Sequence, residues 1–186
     1  MKFNPRYSIW EAASDDESRP VLTCVYFDVE QATLSASDSY ILAEVPCVVE
    51  AGDISGLIPA IALRKAAAAA LGSFTNRDAQ VVVADGYATF TGKHGEEQRW
   101  PLVDGTFPFS TVAVAALFER NTATVDEPFG MNHRLFGCIT RAMGYNDRGN
   151  TSVRLHQTGP RSAVYVEGAD GARGLIMPVD LREMNS

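Results

Sequence analysis

Reactive chemistry in a short chain rests on histidines, thiols and clustered acids, and here their spacing is unhelpful to all three. His94, His133 and His156 fall in a turn, at a helix start and in a strand-like stretch, without the spacing that lets imidazoles share a metal ion. The adjacent acids Asp15, Asp16 and Glu17 lie in the polar stretch "DDESRP", which reads as a solvated turn. No nucleophile elbow, phosphate-binding glycine loop or His-Glu helix motif occurs. Cys24, Cys47 and Cys138 are an odd set in three apolar contexts, as reduced, packed thiols would be. The chain is therefore expected to be no enzyme and to need no cofactor or metal, which leaves binding as its chemistry.

Two residue sets could bind. The first is the run Leu175 to Val179, apolar around Pro178 and close to the end of the sequence, where a segment frays unless its own domain or another chain covers it. The second is a set of cations on predicted helices. Arg6 sits on the first and Arg64 and Lys65 lie off the Leu63 stripe of the second. Arg134 and Arg141 share nearly one stripe of the third, while Leu135, Ile139 and Ala142 form another, and Arg148 follows it. Solvated helix faces account for any one of these cations; together they also suit a phosphate-bearing partner. The net charge of -7 argues against adhesion to nucleic acid over the whole surface but leaves room for one basic face.

The elements that must position these residues follow from composition and periodicity. With 186 residues, 46% hydrophobic and 21% charged, the chain has globular composition. No apolar run approaches the roughly 20 residues of a membrane helix, and "MKFNPRYSIW" lacks a secretion signal. The expected location is the cytoplasm, with no membrane partner. "NPRYSIWEAAS" predicts a short helix with Asn4 as cap and Pro5 in the first turn, followed by strands in "VLTCVYFDVE", "ATLSASDS" and "YILAEVPCVV". The pattern returns with the strand "DISGLIP" and the helix "AIALRKAAAAALG", whose core stripe is Leu63, Ala67, Ala70 and Leu71. The strands "QVVVADG", "YATFTG" and "EQRWPLV" follow, with Asp85-Gly86 as a hairpin turn. It returns again with "ATVDEPFGM", the helix "NHRLFGCITRAMG" and the strands "TSVRLHQTG", "SAVYVEG" and "GLIMPVDL", an internal repeat of about 50 to 60 residues.

Four segments then resemble the bacterial sliding clamp, the β subunit of DNA polymerase III. "ASDDESRPVLTCVYFDVE" is similar to the family's Ser-x-Asp-x-x-Arg-Pro-Val-Leu-x-Gly strand, with Arg19, Pro20, Val21 and Leu22 in place and Cys24 where glycine is usual. "LSASDSYILA" resembles its Ala-Thr-Asp-Gly-His-Arg-Leu-Ala turn, keeping Ala36, Asp38, Leu42 and Ala43 while Ser37, Ser39, Tyr40 and Ile41 depart. "LVDGTFPF" matches Gly-x-Phe-Pro through Gly105, Phe107 and Pro108, and "GLIMPVDL" matches the C-terminal Met-Pro-Met-Arg-Leu through Met177, Pro178 and Leu181. The likeness covers residues 10 to 110 as the family's middle domain and about 124 to 183 as the second half of its last; the rest of the family's chain has no counterpart.

The resemblance implies an α+β DNA-clamp fold of repeated β-α-β-β-β half-domains, antiparallel sheets outside and helices lining an inner face. Residues 1–107 are then one clamp domain of two half-domain repeats (1–50 and 51–107), 108–122 a linker with room for a short helix, and 123–186 a third half-domain. Arg6, Arg64, Lys65, Arg134, Arg141 and Arg148 would face double-stranded DNA without reading its sequence. An apolar groove would take a short linear motif of the replicative polymerase or clamp loader. One wall would be Leu22, Ser39, Tyr40, Ile41 and Leu42, the other Val164, Leu175, Met177, Pro178 and Val179, with Val112 and Val114 between. An edge strand packed in the core is the other reading of those residues. Family rings hold twelve half-domains and this chain three, so the implied partner is also itself, in a ring-forming homo-oligomer such as a tetramer. The alternative is a clamp-like binding protein that pairs with or competes against a host clamp without encircling DNA.

Overall fold

A computed structural model describes residues 1–71, 78–109, 130–145, 153–157, 159, 162–168 and 171–179. Twelve strands and two α-helices are described: β1 Lys2–Phe3, β2 Cys24–Asp28, β3 Thr33–Ser37, β4 Ile41–Pro46, β5 Gly56–Pro59, α1 Ala60–Leu71, β6 Ala79–Gln80, β7 Val82–Ala84, β8 Tyr87–Thr91, β9 Glu97–Pro101, α2 His133–Ala142, β10 Arg154–His156, β11 Val164–Glu167 and β12 Arg173–Ile176. This is the expected α+β architecture with antiparallel pairing throughout. Arg148, Val112, Val114 and all of the 108–122 segment beyond residue 109 lie outside the described residues.

Local chemistry accounts for the element ends. Asp85 and Gly86 take positive φ values of 52° and 76° and form the two-residue turn between β7 and β8, the backbone a right-twisted hairpin demands. Asn132 caps α2, its side chain accepting from the Arg134 and Leu135 amides, and Gly144 at φ 89° ends it. The first predicted helix is instead a four-residue 3-10 turn, Ile9–Ala12. Its two buried residues stand three apart, the repeat of a 3-10 turn, and four residues are too few for an α-helical stripe. On α1 the buried stripe is Ala62, Leu63, Ala66 and Ala67 rather than one reaching Ala70 and Leu71, because the last turn overruns the sheet it covers and leaves Leu71 exposed.

The strands form a seven-stranded sheet ordered β10-β11-β12-β4-β3-β2-β5, a three-stranded sheet β7-β8-β9 and the pair β1-β6. A repeated unit is visible in three isolated antiparallel bridges, Lys2 to Val48, Leu57 to Val103 and Gly130 to Val179. Each ties the residue entering a unit to a valine just past that unit's last strand, β4, β9 or β12. We call these units one, two and three.

Units join in two ways. Units one and two exchange first strands: β5 pairs with β2 and β1 pairs with β6. Units one and three join last strand to last strand, β4 against β12. Beneath the seven-stranded sheet Val25, Phe27, Leu34, Val45, Ile58, Leu63, Ile139 and Ile176 share one core, so the units are fused by buried apolar surface as well as by ladders.

Candidate functional site

The β4–β12 join puts the two predicted walls side by side. Leu175 stands opposite Leu42 and Ile176 opposite Ile41. Because side chains alternate along a strand, the two pairs face opposite ways. Leu42 and Leu175 belong to a small cluster on the outer face with Cys24, Leu57 and Phe107, flanked by Tyr26, Phe109 and Tyr165. Phe107 stacks on Tyr26 at 5.5 Å and meets Phe109 edge-on at 5.8 Å. Gly105 lets this segment close down: its φ is 144°, and a Cβ there would come within 2.7 Å of Val21 Cγ2.

The end of the join is shaped by the β3–β4 turn. Asp38 Oδ1 accepts from the Tyr40 and Ile41 amides, both at 2.8 Å, and Ser39 takes a φ of 84°. Arg19 braces the turn, donating to Ser39 Oγ at 2.8 Å and to Asp16 Oδ2 at 2.9 Å. Hydrogen bonds from Ser18 and Arg19 hold the Asp16 carboxyl below its ordinary range. The Met177 amide donates to Tyr40 O at 2.9 Å and the Val179 amide to Gly130 O at 2.9 Å. The C-terminal Met-Pro segment is therefore pinned at both ends, with Tyr40 and Met177 left exposed.

Behind this turn lies a cleft of about 800 Å³ that collects residues from both candidate sets. Tyr40, Met177, Pro178 and Val179 line one side, and Arg64 reaches it from α1, Arg134 and Arg141 from α2, and Arg19 from just before the short 3-10 turn Pro20–Thr23. Acids share it: Arg141 pairs with Glu11 at 3.3 Å, and Asp15, Asp16 and Asp38 lie along the wall. Lys65 lies apart from these, its Nζ 4.7 Å from the centre of the Trp100 ring. Arg6 is exposed near the C-terminus of α2, where the Ser8 amide donates to Arg141 O at 3.2 Å.

The predicted groove residues thus separate into layers. Leu42 and Leu175 are on the outer face; Tyr40, Met177, Pro178 and Val179 form the cleft wall with Ser39 at its turn; Ile41 and Val164 point into the main core. Leu22 is buried, and its carbonyl accepts from the Ser14 amide at 2.9 Å. The sequence reading passed over the polar fastening of the join. Arg173, opposite Glu44, reaches one carboxylate oxygen with Nε at 2.8 Å and Nη2 at 2.6 Å, and Ser35 donates to the other at 3.4 Å. An arginine and a glutamate 129 positions apart give no local signal; only the register brings them together. Burial pushes the Cys47 thiol up to about 12 and also raises Cys24, as packed rather than reactive thiols require. Among the described residues no group of histidine, cysteine and acids could hold a metal ion, and no helix is long and apolar enough to cross a membrane.

No family model and no curated protein matches the sequence. Solved structures do match in shape. DNA polymerase III subunit beta from Borrelia burgdorferi aligns over 97% of this chain and 62% of its own, with a TM-score of 0.65 at 12% identity. The DNA polymerase sliding clamp from Bacillus subtilis aligns over 95% and 61%, with a TM-score of 0.62 at 16% identity. The DNA polymerase III beta chain from Streptococcus pneumoniae aligns over 97% and 64%, with a TM-score of 0.61 at 18% identity. The chain spans less than two thirds of the length of each of these. Repeated units, antiparallel sheets and clamp neighbours agree, and the chain has the fold of the bacterial sliding clamps.

Proposed function

We propose that the chain is a sliding clamp, a processivity factor that encircles duplex DNA as a homo-oligomer and tethers replication proteins by a short apolar motif. The observation that carries this reading is the pinned Met-Pro segment: Met177 is 47% exposed while its backbone is fixed to the β3–β4 turn, so an apolar surface is held open beside the β4–β12 join rather than folded away. Its neighbours Tyr40, Pro178 and Val179 would seat the apolar anchors of a polymerase or loader peptide. Arg6, Arg64 and Arg134, exposed on the helical side, would meet phosphates in an otherwise acidic protein, which gives sliding without base readout.

The test is topological. The protein loaded on nicked circular DNA should be retained at a salt concentration that strips it from the same DNA once linearised, and it should lengthen the products of a replicative polymerase. Equal loss from circle and line removes the encircling reading. A second reading, pairing with a host clamp, is favoured by β10 and β9, which among the described residues are unpaired edges of the seven-stranded and three-stranded sheets. It would show as a stable mixed complex with a full-length clamp.

A further inference from the structure

Among the described residues three units are seen, and an odd number leaves one without the strand exchange that units one and two make. The consequence is visible at β10. In unit one the corresponding strand, β2, keeps Val25 and Phe27 fully buried because β5 of unit two pairs with it. In unit three Leu155, the apolar residue of β10 opposite the buried Val166, is 37% exposed. Hydrogen-bond phase fixes what the edge offers. Gly168 N donates to Ala172 O, so Val166 faces β12 and Tyr165 and Glu167 face β10 at His156 and Arg154. The amides and carbonyls of residues 153, 155 and 157 therefore point off the sheet. At the end of this edge Gln157 is 4% exposed, its Nε2 donates to Ser162 O, and its Oε1 has no donor among the described residues.

The edge of the three-stranded sheet, at β9, is unpaired among the described residues in a different way. Bonds from Gly92 N to Glu96 O and from Leu102 N to Gly86 O turn Gln98 and Trp100 toward β8, which leaves Glu97, Arg99 and Pro101 facing outward along β9. Two copies of β9 laid antiparallel about Gln98 set Glu97 of each opposite Arg99 of the other. That is the chemistry already present where last strand meets last strand within the chain, at Glu44 and Arg173.

We infer that the chain assembles through two different two-fold interfaces with copies of itself: β9 against β9, and unit three against unit three across the β10 edge. Both reproduce joins the chain makes internally, last strand to last strand and strand exchange between units. Each interface is isologous, so a closed assembly holds an even number of copies, four where the twelve half-domains of a clamp ring are matched. A head-to-tail cycle would instead pair β9 with β10, a contact of a kind not found among the described residues. The inference goes beyond the clamp reading and holds whether or not the assembly encloses DNA.

Light scattering on the full chain separates the two geometries. With two isologous interfaces, breaking one leaves dimers held by the other. Leu155→Pro, which removes only an outward amide, and Leu155→Lys should each halve the wild-type tetramer mass with circular dichroism unchanged. Glu97→Arg, which sets arginine opposite Arg99, should do the same, Glu97→Arg/Arg99→Glu should restore the tetramer, and Leu155→Lys/Glu97→Arg should give monomers. A wild-type mass of one or two chains, or monomers from either single break, overturns the inference.

Discussion

Removing either partner of the Glu44–Arg173 pair tests whether unit three is held as a continuation of the sheet or merely rests on it. The Glu44 side chain is 6% exposed and the arginine 32%, and both contacts fall on one carboxylate oxygen. Losing one member of a buried pair costs about 3–5 kcal/mol because the survivor keeps its desolvation penalty; the partly wet guanidinium brings the expected cost of Arg173→Met to about 2–3 kcal/mol. At about 2–4 °C per kcal/mol for a chain of this size, the melting temperature should fall by about 5–10 °C. Glu44→Gln should cost a similar amount, whereas Glu44→Gln with Arg173→Met should cost much less than the sum, a coupling of about 2 kcal/mol. Urea unfolding followed by circular dichroism and tryptophan emission reads this. Trp10 lines the cleft beside α2 and reports separation of unit three, while Trp100 beneath Lys65 reports unit two. Strictly additive single variants, each below about 0.5 kcal/mol, would mean that apolar packing alone holds the join.

Three further outcomes are expected. Because Ser39 sits at φ 84°, Ser39→Gly should be more stable than Ser39→Ala by about 1 kcal/mol in thermal melts, both having lost the bond to Arg19. Gly174→Ala should cost about 1–3 kcal/mol, since a Cβ there would lie 2.8 Å from Ile139 Cγ1 and 3.2 Å from Leu42 O; urea midpoints should show it, with Ile139→Val added in the same chain recovering part of the loss. Cys47, with its pKa pushed up to about 12, holds only about 10⁻⁴ of its thiol as thiolate at pH 8, so iodoacetamide should label it slowly in the folded chain and rapidly in urea.

Elements with strong local signals could be read from the sequence. Asp85-Gly86 dictates its hairpin because the backbone of these two residues decides the geometry. The stretch that holds β2 is apolar on both faces, which suits a strand covered on both sides or on one side only, and the structure buries residues on both of its faces. Residue-by-residue facing was harder. Ile41 and Leu42 are both apolar and adjacent, and only register reveals that one enters the core and the other the outer cluster. The cleft was legible in its parts but not as a place, since Arg64, Arg134 and Met177 come from three separate segments. The Arg19 brace and the Glu44–Arg173 pair were silent because exposed-looking arginines in loops and strands carry no sequence mark of their partners.

The cations are not equivalent, and the clamp reading turns that difference into a measurement. Among the described residues Arg6, Arg64 and Arg134 have no acid within ion-pair distance, whereas Arg141 is already paired with Glu11 and Lys65 lies over Trp100. A cation that neutralises a phosphate contributes about 0.9 to the slope of log affinity against log salt. One already neutralised by a carboxylate releases fewer counterions on binding, because part of its field is cancelled beforehand. Arg64→Gln and Arg134→Gln should therefore each flatten the slope by about 0.9 per chain in contact with duplex, and Arg141→Gln and Lys65→Gln by visibly less. Fluorescence anisotropy with a short duplex across a salt series measures each slope. Equal slopes for all four variants and the parent would place the phosphates on another surface, while a loss for Arg141→Gln as large as for Arg134→Gln would mean that Glu11 gives up its partner to DNA.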